Sequence, residues 1–423
     1  MPPSRSRDSP LSAERLDLVV VLDAPELGPP RPVGVLTRWP GQNLSVAFAY
    51  ARSWLDDADR NFAIDPALPL GDAQTTIPGR RLPGVLADTA PDKWGESLLA
   101  RRSGGRTLDA WDFMAGVADV TRMGALRLQR NPDGPFITDW DPVVPPIDEL
   151  GDLQELARRF DADPRAISAD QIGPLVAPGS SLGGARAKVN GLAPDGSLWI
   201  AKFPLRTDRR DVSGWEQVYA TLARSAGIEV ADTDLRTIVE QQRTFVTRRF
   251  DRTREGRRLY ASALTMTGRA TSADTTSPDY IDIAEAITTH CAPGHVRGDL
   301  AQLYRRMAFN VFAGIRDDHL RNHGFLRHAD GWRLAPAFDL NPGREMREHA
   351  TAVNGQVLAP TATDVLDVHS FFGLDERGAR ATIREVAAAV GEWRDVATAT
   401  DIDRGEQRQV ASAFEALETT ALI

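Results

Sequence analysis

The stretch from Leu303 to Pro342 constrains this chain most. Leu303, Met307, Val311 and Ile315 recur every fourth residue, with Tyr304, Ala308 and Phe312 beside them. That is the period of a helix with one buried face. Gly314 weakens the helix near its end, and a polar loop follows in which Asp317 and Asn322 stand five residues apart. Phe325-Leu326, a turn at His328-Ala329-Asp330-Gly331 and the run Trp332 to Ala335 predict a short hairpin with an Asp-Gly turn. Beyond Pro336 the chain reaches Phe338-Asp339-Leu340.

A catalytic Asp, an Asn five residues on, a hairpin and then a metal-binding Asp is the order of parts in protein kinases. A phosphoryl transferase needs a carboxylate to orient the attacking hydroxyl and accept its proton, which Asp317 can supply. It also needs oxygen ligands for the magnesium ions that bridge the ATP phosphates, and Asn322 and Asp339 suit that hard cation. Two other readings of the loop stand beside this one. Asp317 and Asp318 can simply terminate a helix in a solvated loop. His319 and His323, four apart, can share a zinc ion with Asp339 as third ligand, although the Glu that follows the first His in the common zinc-protease helix is absent.

The 423 residues are enough for about three domains or subdomains. A hydrophobic content of 42% with 26% charged residues is that of a soluble globular protein. The net charge of −9 excludes a global basic footprint for nucleic acid. Cys291 is the single cysteine, so an intrachain disulfide is excluded, which fits a reducing cytosol. No apolar run approaches the roughly 20 residues of a membrane-spanning helix. Residues 1–12 are expected to be a disordered tail, with no apolar segment of a signal peptide. The expectation is a cytoplasmic protein without membrane contact.

Leu16 to Leu22, Pro32 to Thr37 and Leu44 to Tyr50 read as strands. Leu82 to Leu99 reads as a loop and then a helix, with Asp92-Lys93-Trp94 near its start. Thr107 to Leu128 reads as a further helical region ending in Ala125-Leu126-Arg127-Leu128. No catalytic cluster is visible here, so 13–145 is taken as an N-terminal packing or interaction subdomain. The prolines of Asp141 to Pro146 mark a linker.

From 146 to 255 the pattern is that of a smaller lobe. Ile147 to Phe160 is amphipathic. Pro178 to Val189 is a run of small residues whose backbone N–H groups can cradle phosphate; a surface loop is the plainer reading. Lys188 to Leu192 and Ser197 to Phe203 are strand-like around Pro194-Asp195-Gly196. Lys202 lies in an apolar strand, where an unpaired ammonium is costly, so it must reach solvent or an anion. Ser213-Gly214-Trp215-Glu216 has the spacing of a capping box and opens a helix stopped by Gly227. Glu216 therefore has two candidate jobs, capping that helix or pairing with Lys202. Thr237 to Glu240 and Thr244 to Thr247 suggest a hairpin leading to Arg248-Arg249-Phe250-Asp251-Arg252. The remainder, 256–423, is mostly helical in pattern, for example Ala301 to Ile315 and Ala379 to Val396.

Together these motifs resemble the HipA family of bacterial toxin Ser/Thr kinases of type II toxin-antitoxin systems. The resemblance rests on Trp111-Asp112-Phe113 through Leu126, Ser181 to Lys188, Trp199 to Pro204, Arg249 to Arg252, Asp317 to Asn322 and Phe338-Asp339. It implies an α+β, two-lobed, protein-kinase-like fold with an N-terminal β-rich subdomain and a mostly helical C-terminal lobe. The smaller lobe would be 146–255 and the helical lobe 256–423.

By the same resemblance Asp317 is the catalytic base, while Asn322 and Asp339 hold magnesium. Ser181, Gly183, Gly184, Ala185, Arg186, Ala187, Lys188 and Lys202 would contact ATP at its phosphates. Arg248, Arg249 and Phe250 would lie against adenine, with His319, Asn322 and Asp339 completing the ATP site. Ser181, with Ser180 adjacent, matches the Ser that family members phosphorylate on themselves. Arg186-Ala187 stands where the family often has Gln-Glu, and Arg248 where it often has Glu. The partners implied are a protein substrate carrying Ser or Thr and a small DNA-binding antitoxin, so that DNA is met only indirectly. Arg101, Arg102 and Arg106, and the trio Arg206, Arg209 and Arg210, are candidate local basic patches. A nucleotide-binding regulatory protein without transfer activity is the alternative from another class.

Overall fold

A computed structural model describes residues 15–39, 45–77, 81–137, 144–179, 186–239, 242–269, 276–342, 347–355 and 357–422. Its strands fall into three antiparallel sheets, one in each expected subdomain. The first contains β1 (Leu16–Leu22), β2 (Arg31–Arg38), β3 (Val46–Tyr50), β4 (Thr75–Ile77) and β5 (Leu126–Gln129), in the order β4-β3-β2-β1-β5. The strands expected at 16–22, 32–37 and 44–50 are all present.

The helical region expected over 107–128 is much shorter. A helix covers Ala110–Gly116, capped reciprocally by Asp109 and Asp112, and Leu126–Gln129 is edge strand β5, paired with β1. Leu126 and Leu128 are buried while Arg127 between them is half-buried, a period of two rather than of helix. Upstream, a helix spans Lys93–Arg102. Asp92 sits at its N-cap and accepts from the Gly95 amide at 2.9 Å.

The second sheet has β6 (Lys188–Leu192), β7 (Leu198–Lys202), β8 (Thr233–Val239) and β9 (Gln242–Arg248), in the order β6-β7-β9-β8. The helix Val212–Ser225 packs on it and ends before Gly227, whose φ of +72° is the left-handed stop that glycine favours. The amphipathic segment expected from Ile147 forms the helix Gly151–Ala162, preceded by a short 3-10 turn. Residues 180–185, with most of the Gly-rich run, lie outside the described residues, as do 141–143 of the linker and the 1–12 tail.

The third sheet joins β10 (Leu259–Ser262), β11 (Gly324–His328) and β12 (Gly331–Leu334), so the expected hairpin is present. The helices Tyr280–His290 and Val296–Phe312 pack on it, Glu376–Gly391 packs on Val296–Phe312, and Trp393–Ala399 packs on the Val212–Ser225 helix of the smaller lobe. The first of the two expected long helices begins at Val296 and stops at Phe312; the second breaks at Glu392. Gly314 follows the first with φ +64°, and a Cβ there would meet the Ala413 carbonyl oxygen at 2.2 Å. Glycine is therefore required where the chain turns into the polar loop.

The N-terminal subdomain is not a separate body. One buried cluster runs from Val20, Phe48 and Trp54 through Trp215 and Tyr219 to Leu303, Met307 and Phe312. A second joins Trp94 and Leu98 to Phe160, Val189 and Phe203. Among the described residues, no helix is long and apolar enough to cross a membrane.

Candidate active site

Lys202 closes β7 and points into the cleft between the smaller and helical lobes. Its ammonium bonds Glu216 of the Val212–Ser225 helix and, at 2.5 Å, Oδ1 of Asp339. Between the two candidate jobs of Glu216 the structure decides. The helix begins two residues earlier than the sequence suggests, and Asp211 caps it, accepting from the Gly214 amide at 2.8 Å. Ser213 is then inside the first turn, so no box forms and Glu216 is left to pair with Lys202. Burial alone would discharge Lys202, but the Asp339 and Glu216 carboxylates outweigh it and push its pKa up. Burial likewise works against the Asp339 carboxylate, yet Lys202 and Lys188 hold it below the usual range.

Asp339 has φ +59°, a left-handed conformation uncommon outside glycine. Its neighbour Phe338 stacks at a tilt on Phe250, with ring centroids 5.3 Å apart. Ala337 donates its amide to Glu229 at 2.7 Å, tying this segment to the turn after the Val212–Ser225 helix.

The loop 316–323 is held from behind. Asp318 is 1% exposed and accepts from Tyr280 Oη at 2.8 Å and from the amides of Ala350 (3.0 Å) and Thr351 (3.3 Å). His349 Nδ1 lies 3.2 Å from the same carboxylate. Asp317, next to it, presents its side chain to solvent and to the cleft. Neighbouring carboxylates thus do opposite things: Asp318 anchors the loop, while Asp317 is left open to solvent and the cleft. Asn322 Nδ2 donates to the Asp317 carbonyl at 2.7 Å. That bond uses the amide's N–H and leaves its oxygen as the group suited to a hard cation.

The zinc reading of this loop finds no support. His323 is buried, hydrogen-bonded to the Asp318 backbone and kept neutral, its pKa pushed down to about 4 by desolvation. His319 is half-exposed, 3.9 Å from Asp317. Among the described residues no three His, Cys, Asp or Glu side chains cluster as a metal site. Asp339 with Asn322 is instead a pair of oxygen donors of the kind magnesium uses when phosphates and water complete its shell.

These groups line one cavity of about 670 Å³. It is large enough for a nucleotide, and its lining combines the apolar Ile200, Ala220, Val230, Phe245 and Leu340 with charged side chains. Of the expected ATP-site residues, Lys188, Lys202, Arg248, Arg249, Phe250, His319, Asn322 and Asp339 border it, as does Asp317. Arg186 and Ala187 do not. The Arg186 guanidinium is taken by Asp208, at 2.7 and 2.8 Å, and by the Phe203 carbonyl. Ala187 is packed under β7, its carbonyl accepting from the Phe203 amide. Ser180, Ser181, Gly183, Gly184 and Ala185 lie outside the described residues.

Arg249 borders the cleft, but its charged end does other work. It bonds Asp251 at 2.7 and 2.8 Å, Asn190 Oδ1 at 2.9 Å and the Thr121 carbonyl at 2.6 Å. Asp251, fully buried, also takes Arg252 and the Gly124 amide. Arg249-Phe250-Asp251-Arg252 is thus a rivet between the second sheet and residues 121–124, and Arg249, Phe250 and Asp251 also border the cleft. The first basic patch is also partly spent: Arg101 bonds the carbonyls of Ile167 and Arg165, and Arg102 bonds the Ala169 carbonyl and the Asp170 side chain.

Sequence reasoning missed the wall that the N-terminal subdomain gives this cavity. Asp88, Asp92, Lys93, Glu96 and Met123 all line it. Pro91-Asp92-Lys93-Trp94 was legible as a helix start, but nothing local tells where a helix start points.

Known proteins resemble this chain in sequence and in fold. A family model described as the HipA-like C-terminal domain matches residues 180–393, and one described as the HipA N-terminal domain matches 29–129. A Sinorhizobium fredii protein, Y4mE, named as a candidate kinase, is 25% identical over 324 residues, covering 70% of this chain and 71% of its own. HipA of Shewanella oneidensis, solved with HipB and its operator DNA, superposes with a TM-score of 0.68 at 17% identity over 96% of each chain. That likeness shows the two-lobed α+β fold.

Proposed function

The chain belongs to the HipA family, and from that premise we propose that it is an ATP- and magnesium-dependent protein serine/threonine kinase. We read it as the toxin of a two-component module, paired with a small DNA-binding antitoxin. The observation that carries the reading is the meeting of Lys202, Glu216 and Asp339 in a cavity that Asp317 and Asn322 also line.

In this reading Lys202 binds the ATP phosphates while Glu216 keeps the ammonium in place. Asp339 and the Asn322 amide oxygen would hold magnesium, which supplies charge neutralisation at the phosphates. Asp317 orients the substrate hydroxyl and accepts its proton, and the ties of Asp318 to Tyr280, Ala350 and Thr351 keep that carboxylate from drifting. Phe250 and the apolar wall face the adenine. Self-phosphorylation at Ser181 or Ser180 belongs to the same reading. The antitoxin partner rests on family membership and on the HipB found with the Shewanella protein, and with the chain's net charge of −9 any DNA contact is assigned to that partner.

Incubating the purified protein and host lysate with γ-labelled ATP tests this. The expected result is magnesium-dependent label on Ser or Thr. Tight ATP binding with no transfer to itself or any lysate protein would favour a nucleotide-binding regulator instead.

A further inference from the structure

We propose that Asp92, contributed by the N-terminal subdomain, is a positioning residue for the phosphate end of the nucleotide site, acting through Lys188. The inference rests on the nucleotide-binding part of the reading above. It adds a residue and a dependence between domains that the reading does not contain.

The geometry is that of a clamp on a single lysine. Asp92 Oδ1 accepts from the Gly95 amide, so the carboxylate is fixed as the N-cap of the Lys93–Arg102 helix. Its other oxygen, Oδ2, lies 3.0 Å from the Lys188 ammonium. Two residues on, Trp94 Nε1 donates to the Lys188 backbone carbonyl at 3.1 Å. One helix therefore grips both the side chain and the main chain of Lys188, at the first residue of β6. The same helix also crowds Gly179, the last residue of the helix Gly173–Gly179. A Cβ on Gly179 would meet Leu98 at 2.9 Å, the Lys188 carbonyl oxygen at 3.2 Å and Trp94 Nε1 at 3.4 Å.

Lys188 is directly opposite Lys202 in the β6–β7 register, and both border the cavity. Two buried ammonium groups side by side repel each other and need fixed counter-charges. Glu216 and Asp339 serve Lys202; Asp92 serves Lys188. Lysine has a long flexible stem, so a held ammonium spares the ordering cost when a phosphate arrives. An ammonium has three N–H donors, so a bond to Asp92 and a bond to a phosphate oxygen are compatible. The kinase lobe thus has two lysine–carboxylate pairs, one built within the lobe and one completed by the N-terminal subdomain.

The test is calorimetric titration of the full chain with Mg·ATP and, separately, with adenosine. Asp92→Asn keeps an oxygen for the helix cap and removes the charge facing Lys188. We expect it to weaken Mg·ATP binding about tenfold, the scale of one charge-assisted hydrogen bond, with adenosine affinity unchanged. In a Lys188→Met background the same change should have no further effect. Asp92→Asn with unchanged or tighter Mg·ATP binding overturns the proposal, as does an equal loss for adenosine, which would mark a merely structural role. Wild-type protein that binds adenosine and Mg·ATP but transfers no phosphate leaves this assignment standing and removes the kinase reading. Wild-type protein that binds neither removes both.

Discussion

Lys202 and Asp339 are 137 positions apart in the chain, and their charged atoms meet at 2.5 Å. Lys202 ends a strand of the smaller lobe, and Asp339 follows the hairpin of the helical lobe. The contact closes the two lobes on each other, and Glu216 shares the lysine, so three residues from three elements form one charge cluster, with Lys202 and Glu216 buried and Asp339 half-buried.

Glu216→Gln removes one of the two carboxylates on Lys202. The ammonium then leans on Asp339 alone and competes with magnesium for it. We expect kcat/KM to fall roughly 10²-fold, the scale of a misplaced catalytic group, with a higher magnesium concentration for half-maximal rate. Steady-state kinetics across a magnesium series checks this.

Asp251→Ala leaves Arg249 and Arg252 buried around a lost anion. Burial alone would raise the Asp251 pKa, yet those two guanidinium groups hold it well below the usual carboxylate range. Removing one partner of such a network typically costs about 3–5 kcal/mol, so the variant should melt far below wild type or fail to accumulate folded. Denaturant unfolding measures it.

His323 gives a pH dependence with a definite sign. Its folded pKa is pushed down to about 4 from an ordinary 6.5. The unfolded chain therefore binds a proton that the folded chain refuses. Stability from this group is complete above pH 6.5 and is lost as pH falls toward 4, by about 2 kcal/mol between pH 7.5 and pH 5. Denaturant midpoints at the two pH values should show that loss, and His323→Asn should show less of it.

Ser181, with Ser180 beside it, is the expected self-phosphorylation site. In the proposed reading this run covers the ATP phosphates, so a phosphate there, with about −1.5 to −2 charge, would repel them. Intact mass after incubation with Mg·ATP should gain one phosphate, mapped to either serine and absent in Asp317→Asn. An active enzyme that never modifies this run would contradict the prediction.

Much of the site was legible because its residues sit in local patterns with fixed spacing. Asp317 and Asn322 lie between a periodic apolar helix and an Asp-Gly hairpin, and Asp339 follows directly. Lys202 stood out as a charge in an apolar strand. Where the reading failed, the deciding contact was distant. Asp211 rather than Ser213 caps the helix, a two-residue shift that frees Glu216. Arg249 looked like a nucleotide contact, but its carbonyl partner Thr121 is 128 positions away. Leu126 to Leu128 reads as the end of a helical region, but β1 supplies a strand partner for it. Asp92 pairs with Lys188 across 96 positions, a relation that no local pattern encodes.

Phosphate transfer by wild type and Asp317→Asn, measured beside their ATP affinities, tests the central claim most directly. Asp317 faces the cleft while the buried Asp318 carries the loop's structural bonds, so the variant should fold and bind ATP normally. Its transfer rate should fall by roughly 10²–10⁴, the usual loss on removing a general base. Near-normal turnover in Asp317→Asn, with ATP binding intact, would contradict the account.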